Sequence, residues 1–205
     1  MDYNKLAMKE SIDKTMSALT AKGYEAFLIE SGEAALAKIK ELIPPNASVM
    51  NGSSKTLEQI GFVDYLKEGS HGWNNLHDAI LQETDKEKQA LLRKQSVISD
   101  YYLGSVHGLV ENGEFIIASN SGSQLPHVVF TSQNLIFVVS TKKIVPSLDE
   151  AMRRLEEYII PLEEENMQQK YGTHTHISKL LIFKDEAKGP GRKIIFLLVN
   201  EVLGF

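Results

Sequence analysis

The sequence predicts an α/β domain built on an open sheet. Three observations carry that expectation. Helical and strand patterns alternate from Met8 to Gly61. The runs 135–139 and 194–199 are apolar at every position, as strands covered on both faces must be. Loops rich in glycine, serine and asparagine follow strand ends, where open α/β sheets bind ligands.

Taken in order, Met8, Ile12, Met16 and Leu19 have helical spacing and Gly23 stops that helix. Residues 24–29 read as a strand. Ser31 caps a second helix carrying Leu36, Ile39 and Ile43, and Pro44-Pro45 ends it. A compact strand at 47–50 leads into NGSSKTLEQIG (51–61). GSHGWNN (69–75) is a loop by composition, and Thr84 with Glu87 has capping-box spacing for a charged helix reaching Gln95. Residues 101–119 read as strand, turn, strand, with Glu111-Asn112-Gly113 at the turn. After the strand at 135–139, Ser147 and Glu150 open a helix that Pro161 is expected to end or bend. Residues 162–178 are polar, broken at Gly172, and expected to wrap the surface. Two final strands, 179–183 and 192–200, flank a Gly-Pro-Gly turn. Residues 1–205 are expected to form one domain, with 1–23 as a helical lead-in and 162–205 as a closing wrap.

At 205 residues the chain is long enough to bury roughly 70% of its unfolded surface. A 42% hydrophobic and 24% charged composition is that of an ordinary globular protein. A net charge of −5 argues against general nucleic-acid or anionic-membrane binding. The absence of cysteine excludes disulfides, thiol nucleophiles and Cys-ligated zinc or iron–sulfur centres on this sequence. MDYNKLAMKESIDK carries charges where a secretory signal needs an apolar stretch, and the longest apolar run, 194–199, is far shorter than the roughly 20 residues of a membrane helix. A cytoplasmic address is the expectation, without membrane or nucleic-acid partners.

Three segments carry candidate chemistry. Asn51, Gly52, Ser53, Ser54 and Thr56 stand between a strand and a helix start, where small residues expose backbone N–H groups to an anion and hydroxyls add donors. The Walker spacing is absent, and a plain loop with Ser54 or Thr56 as N-cap explains the same residues. His107 and Glu111 could serve as proton carrier and as base or nucleophile, although Asn-Gly is also a common hairpin turn and a flanking glutamate is usually solvated. Asn120, Ser121, Gly122, Ser123 and Gln124 have the makeup of a polar ligand rim, or of a surface loop. His174 and His176 share a strand face but lack a third ligand nearby, so no metal is expected. Lys142-Lys143, at the end of a buried strand, read first as a simple strand-ending charge, although cations there could face a ligand cleft.

The ordered segments NGSSKTLEQIG (51–61), LGSVHGLVENGEFIIASNSGSQLP (103–126), VVSTKKIVPSLDEAMRRLEEYIIPLEEE (138–165), SKLLIF (178–183) and GRKIIFLLVNEVLGF (191–205) resemble the LUD-domain, or lactate-utilisation (LutC-like), family. The resemblance runs over nearly the whole chain. It implies a three-layer α/β fold around a mostly parallel sheet, like that of ribose-phosphate isomerases and CoA-transferases. It also implies an accessory subunit of L-lactate or other organic-acid utilisation, binding a small anionic metabolite and an iron–sulfur oxidoreductase partner, with no cofactor of its own. Other branches read Gly-Asn-Arg where this sequence has Gly122-Ser123-Gln124, so an arginine that could hold a carboxylate is missing here. A stand-alone isomerase- or CoA-transferase-like enzyme using Glu111, and a ligand-sensing module, are the alternatives. The enzyme reading requires Glu111 to face one cleft with residues 51–56. Self-association into a homo-oligomer is left open.

Overall fold

In the computed structural model, which describes residues 1–189 and 191–205, the two fully apolar runs lie side by side in the middle of one parallel sheet. The strands are β1 (Glu25–Ile29), β2 (Ser48–Asn51), β3 (Asn74–Asn75), β4 (Tyr101–Gly104), β5 (Gly108–Val110), β6 (Phe115–Ser119), β7 (Asn134–Ser140), β8 (Ile144–Val145), β9 (Lys179–Phe183) and β10 (Lys193–Val199). Six of them form the main sheet, in the order β1-β10-β7-β4-β2-β3, and every pairing in it is parallel. The other four form a smaller sheet, in the order β8-β5-β6-β9.

Side chains alternate across a strand, so each central strand feeds two cores. Leu135, Phe137 and Val139 of β7, with Ile194, Phe196 and Leu198 of β10, enter one core. Ile136 and Val138, with Ile195, Leu197 and Val199, enter the other. The second core is closed by α2 (Gly32–Leu42), α3 (Lys55–Gln59) and α4 (Phe62–Glu68), the first by α1 (Lys9–Ala21) and the smaller sheet. Phe115 of β6 locks the two sheets together, stacking on Phe183 at 4.7 Å and meeting Phe137 at 5.2 Å and Phe196 at 5.6 Å. The result is a three-layer α/β domain around the main sheet. The far face of the smaller sheet is covered in turn by α7 (Leu148–Arg154), through Ala151, and by Leu155 just after it. Of two further helices, α5 (Leu76–Gln82) packs against β2 and α6 (Lys86–Gln95) against α5, and α8 (Ile160–Tyr171) continues from α7.

Several local expectations hold and others need correction. The strands near 47–50, 101–106 and 135–139 are neighbours, as β2, β4 and β7. Ser31 and Ser147 cap their helices, accepting from the N–H groups of Ala34 and Glu150. The cap of α6 is Asp85 rather than Thr84: its Oδ1 accepts from both Glu87 N and Lys88 N. The 101–119 segment holds three strands, because the chain leaves the main sheet after Gly104 and enters the smaller one at Gly108. The hairpin turn is placed as expected, with Gly113 at φ +82°. Pro161 does not end its helix. A π-helical turn, Leu155–Ile159, precedes it and absorbs the missing N–H, and α8 runs on through most of the segment expected as a surface wrap. The two last strands join different sheets, β9 at an edge and β10 at the centre; Pro190, in the expected turn between them, lies outside the described residues. Among the described residues no helix is long and apolar enough to cross a membrane.

Candidate functional site

Because the main sheet is parallel, β2, β4 and β7 deliver their exits to one edge. There residues 52–56, 104–107 and 119–124 converge on a cleft of about 610 Å³. Ser54 caps α3, its hydroxyl accepting from Leu57 N at 3.3 Å. Gly52 is required by close approach: a Cβ there would stand 2.4 Å from Tyr102 Oη and 2.9 Å from Gln124 Oε1.

The chain leaves β7 through a tight turn, Thr141–Lys143, which sends Lys143 beneath these loops. Lys143 is only 4% exposed, yet its Nζ lines the cleft, donating to Thr56 Oγ1 and Ser105 Oγ at 3.1 Å each and to Val106 O at 3.3 Å. Burial, then the nearby Arg154 and Lys142 charges, hold its ammonium well below the usual lysine range. Arg154 is fully buried and donates one N–H to His107 O, while its Nε and Nη2 have no partner. Lys142 donates to Gly204 O at 2.8 Å and Asn4 Oδ1 at 3.1 Å, and burial lowers its pKa to about 8. Among the described residues no carboxylate pairs with any of these three cations.

His107 also lines the cleft. Its Nδ1 accepts from Ala118 N at 3.2 Å, which leaves the proton on Nε2. Burial, then the Lys143 and Arg154 charges, push its pKa down to about 3, so it is a neutral hydrogen-bond donor at ordinary pH. Gln124 is fixed between Ala118 O, to which it donates, and Tyr102 Oη, from which it accepts. Ser121 and Ser123 hydrogen-bond each other at 3.0 Å, and Asn120 accepts from Ser178.

The opposite wall comes from α8 and the segment after it. Lys170 on α8 pairs with Glu58 on α3 at 3.1 Å, across the cleft mouth, and Lys55 holds the same carboxylate. Burial alone would raise the pKa of Glu58, but the bonds from Lys170 and Lys55 outweigh it and hold the group low. Glu163, half-buried in the same wall, is shifted upward by burial.

Of the expected residues, Gly52, Ser53, Ser54, Thr56 and His107 line the cleft, as do Asn120, Ser121, Ser123 and Gln124. Asn51 and Gly122 do not. Asn51 turns its amide back to Gly52 O, and Gly122 packs against the Lys179 side chain. Glu111 lies outside the cleft. It sits on the β5–β6 turn facing α1, where Ser11 Oγ donates to it at 2.6 Å and Lys14 Nζ at 2.7 Å. Those two bonds, Lys14 first, hold its carboxyl below the usual range. The condition for using it with residues 51–56 is not met. The histidines are apart in role: His174 contacts Glu164, and His176 meets Ser178 Oγ at 3.0 Å. Lys143 had a visible signal, a lysine closing an all-apolar strand. Arg154 had none, since a buried arginine on a helix reads like any exposed one.

A model of the LUD domain matches residues 12–198. The fold is similar to that of a DUF162 family protein from Deinococcus radiodurans, with TM-score 0.58 and 11% identity over 96% of this chain and 100% of that one. Among curated proteins none matches this sequence.

Proposed function

The chain belongs to the LUD domain family, and from that premise we propose that it binds a small organic anion at the carboxyl edge of its main sheet. One observation carries this reading: Lys143 is buried, lines the cleft, and contacts only hydroxyls and a carbonyl. Burying an ammonium without a counter-charge is costly. A bound anion would offset that cost, with Thr56, Ser105 and the Nε2 proton of His107 as additional donors. Lys142 and Arg154 act from behind, by raising the potential rather than by contact. In this reading the chain is an accessory component of organic-acid utilisation, working beside an iron–sulfur oxidoreductase; the lack of cysteine supports leaving electron transfer to that partner.

The test is ligand-induced thermal stabilisation with lactate, pyruvate and inorganic phosphate. A ligand at 100 times its Kd adds about 2.7 kcal/mol. Lys143→Met should weaken binding at least tenfold. Ser53→Asp, which sets a carboxylate in the cleft, should also abolish the stabilisation while the unliganded Tm changes little. Anion binding that survives in Lys143→Met would rule the reading out.

A further inference from the structure

Lysine and glutamate side chains line the cleft at five places: Lys55, Glu58, Lys143, Glu163 and Lys170. Three of them satisfy one another, because Lys55 and Lys170 both bond the Glu58 carboxylate, at 3.3 and 3.1 Å. The other two stand apart. Lys143, beside the sheet edge, contacts only hydroxyls and a carbonyl. Glu163, in the facing α8 wall, accepts one bond, from Asn166 Nδ2 at 3.1 Å. Among the described residues no cation lies within ion-pair distance of it. Glu163 is half-buried, and that burial outweighs the Asn166 bond and the Lys170 and Lys55 charges, so its pKa stays above the usual glutamate value. A simple anion on Lys143 answers one of these two charges and leaves the other without a partner. A cleft of about 610 Å³ has room for a ligand that answers both.

We propose that the cleft takes a zwitterion with its charges at opposite ends, an ω-amino acid, whose carboxylate meets Lys143 while its ammonium meets Glu163. This rests on the anion-binding reading and narrows its ligand class. Opposite charges on facing walls fix the direction of binding, because a reversed ligand would set carboxylate against carboxylate and ammonium against ammonium. The same arrangement selects among acids. A monocarboxylate leaves Glu163 partly desolvated and unpaired, and a dicarboxylate adds repulsion at that wall.

The test is calorimetric titration at neutral pH with propionate, butyrate, pentanoate and hexanoate, and with the ω-amino derivative of each. It is run on the full chain and on Glu163→Gln, Glu163→Asp and Lys143→Met. At the chain length that spans the two charges, the amino derivative should bind about fivefold tighter than its parent acid, or more. Glu163→Gln should bring that ratio to about one. Glu163→Asp keeps the charge on a shorter side chain, so it should keep a preference and move the best length upward. Equal affinity within every pair on the unaltered chain, with Lys143→Met still weakening both members, would overturn the zwitterion proposal and leave the anion site standing. A preference that survives in Glu163→Gln would overturn it as well. Binding of the parent acids that is unchanged in Lys143→Met would instead overturn the anion site itself, and the zwitterion proposal with it.

Discussion

Two buried cations at opposite ends of the main sheet show how similar charges can be put to different use. Arg192, at the amino edge, has a side chain only 3% exposed and is fully engaged. It pairs with Glu186 at 3.0 Å and donates to the carbonyls of His127, Val128 and Val129 in the π-helical turn His127–Thr131 and of Ser132, which caps it. Lys143, at the carboxyl edge, is equally buried but has no carboxylate, and two further cations stand behind it. A buried charge with every partner in place holds structure together. One left without its counter-charge is available to a ligand, at a cost to stability.

The sharpest way to break that comparison is to remove each charge. Arg192→Met should destabilise by about 3 kcal/mol, because Glu186 and several carbonyls lose their donor. That corresponds to a Tm lower by roughly 10 °C. Anion affinity should be unchanged. Lys143→Met should do the reverse, losing the ligand while the unliganded Tm holds or rises. Equal destabilisation by the two variants in thermal melts would end the distinction.

A pH series sharpens it further. An unfolded histidine protonates near pH 6.5, but folded His107 only near 3 and folded His127 near 4, both chiefly because of burial. Between those values the unfolded chain holds the extra protons. The stability penalty is therefore absent above about pH 6.5 and grows as pH falls, reaching at most roughly 2 kcal/mol per histidine at pH 5. Chemical denaturation at successive pH values should show this slope, and His107→Gln should reduce it.

Gly52→Ala tests the close approach behind the anion loop. The added methyl must displace Tyr102 or Gln124, costing about 1–2 kcal/mol in denaturant melts and loosening the cleft. The smallest effect belongs to Glu111. Glu111→Gln should cost less than about 1 kcal/mol and leave anion binding untouched, because its partner Lys14 is largely exposed. The folded pKa of Glu111 is lowered, so its contribution is present at neutral pH and is lost as pH falls through that lowered value. A large loss of anion affinity in Glu111→Gln would return the carboxylate to the functional site.

Much of this was legible in the sequence, for reasons that are local. Apolar strands of unbroken composition, serine caps and the Asn-Gly turn depend on neighbours a few residues away, so the two central strands, the helix starts at Ser31 and Ser147 and the turn at Gly113 fell where expected. Parallel strands with loops at one edge brought residues 52–56 and 104–107 together, whereas residues 120–124 reach the same cleft from β6 of the smaller sheet. Glu111 shows the limit. It follows β5 closely, but β5 belongs to the smaller sheet, and its exit faces α1 rather than the cleft. Which of two sheets a short strand joins depends on pairing partners far along the chain, such as Ile144 and Val145 beside Leu109 and Val110.

The sequence alone determined the layered α/β class, the two-faced central strands and the small-residue loops at strand ends. Only the tertiary structure decided which charges are paired. Lys143 and Glu111 look alike as isolated charged residues near strand ends. One is carried under the Thr56 and Ser105 hydroxyls with Arg154 behind it, and the other is met by Lys14 from a helix near the start of the chain. Charge pairing is set by contacts across long sequence separations and by the depth of burial, and neither is written in the spacing of nearby residues.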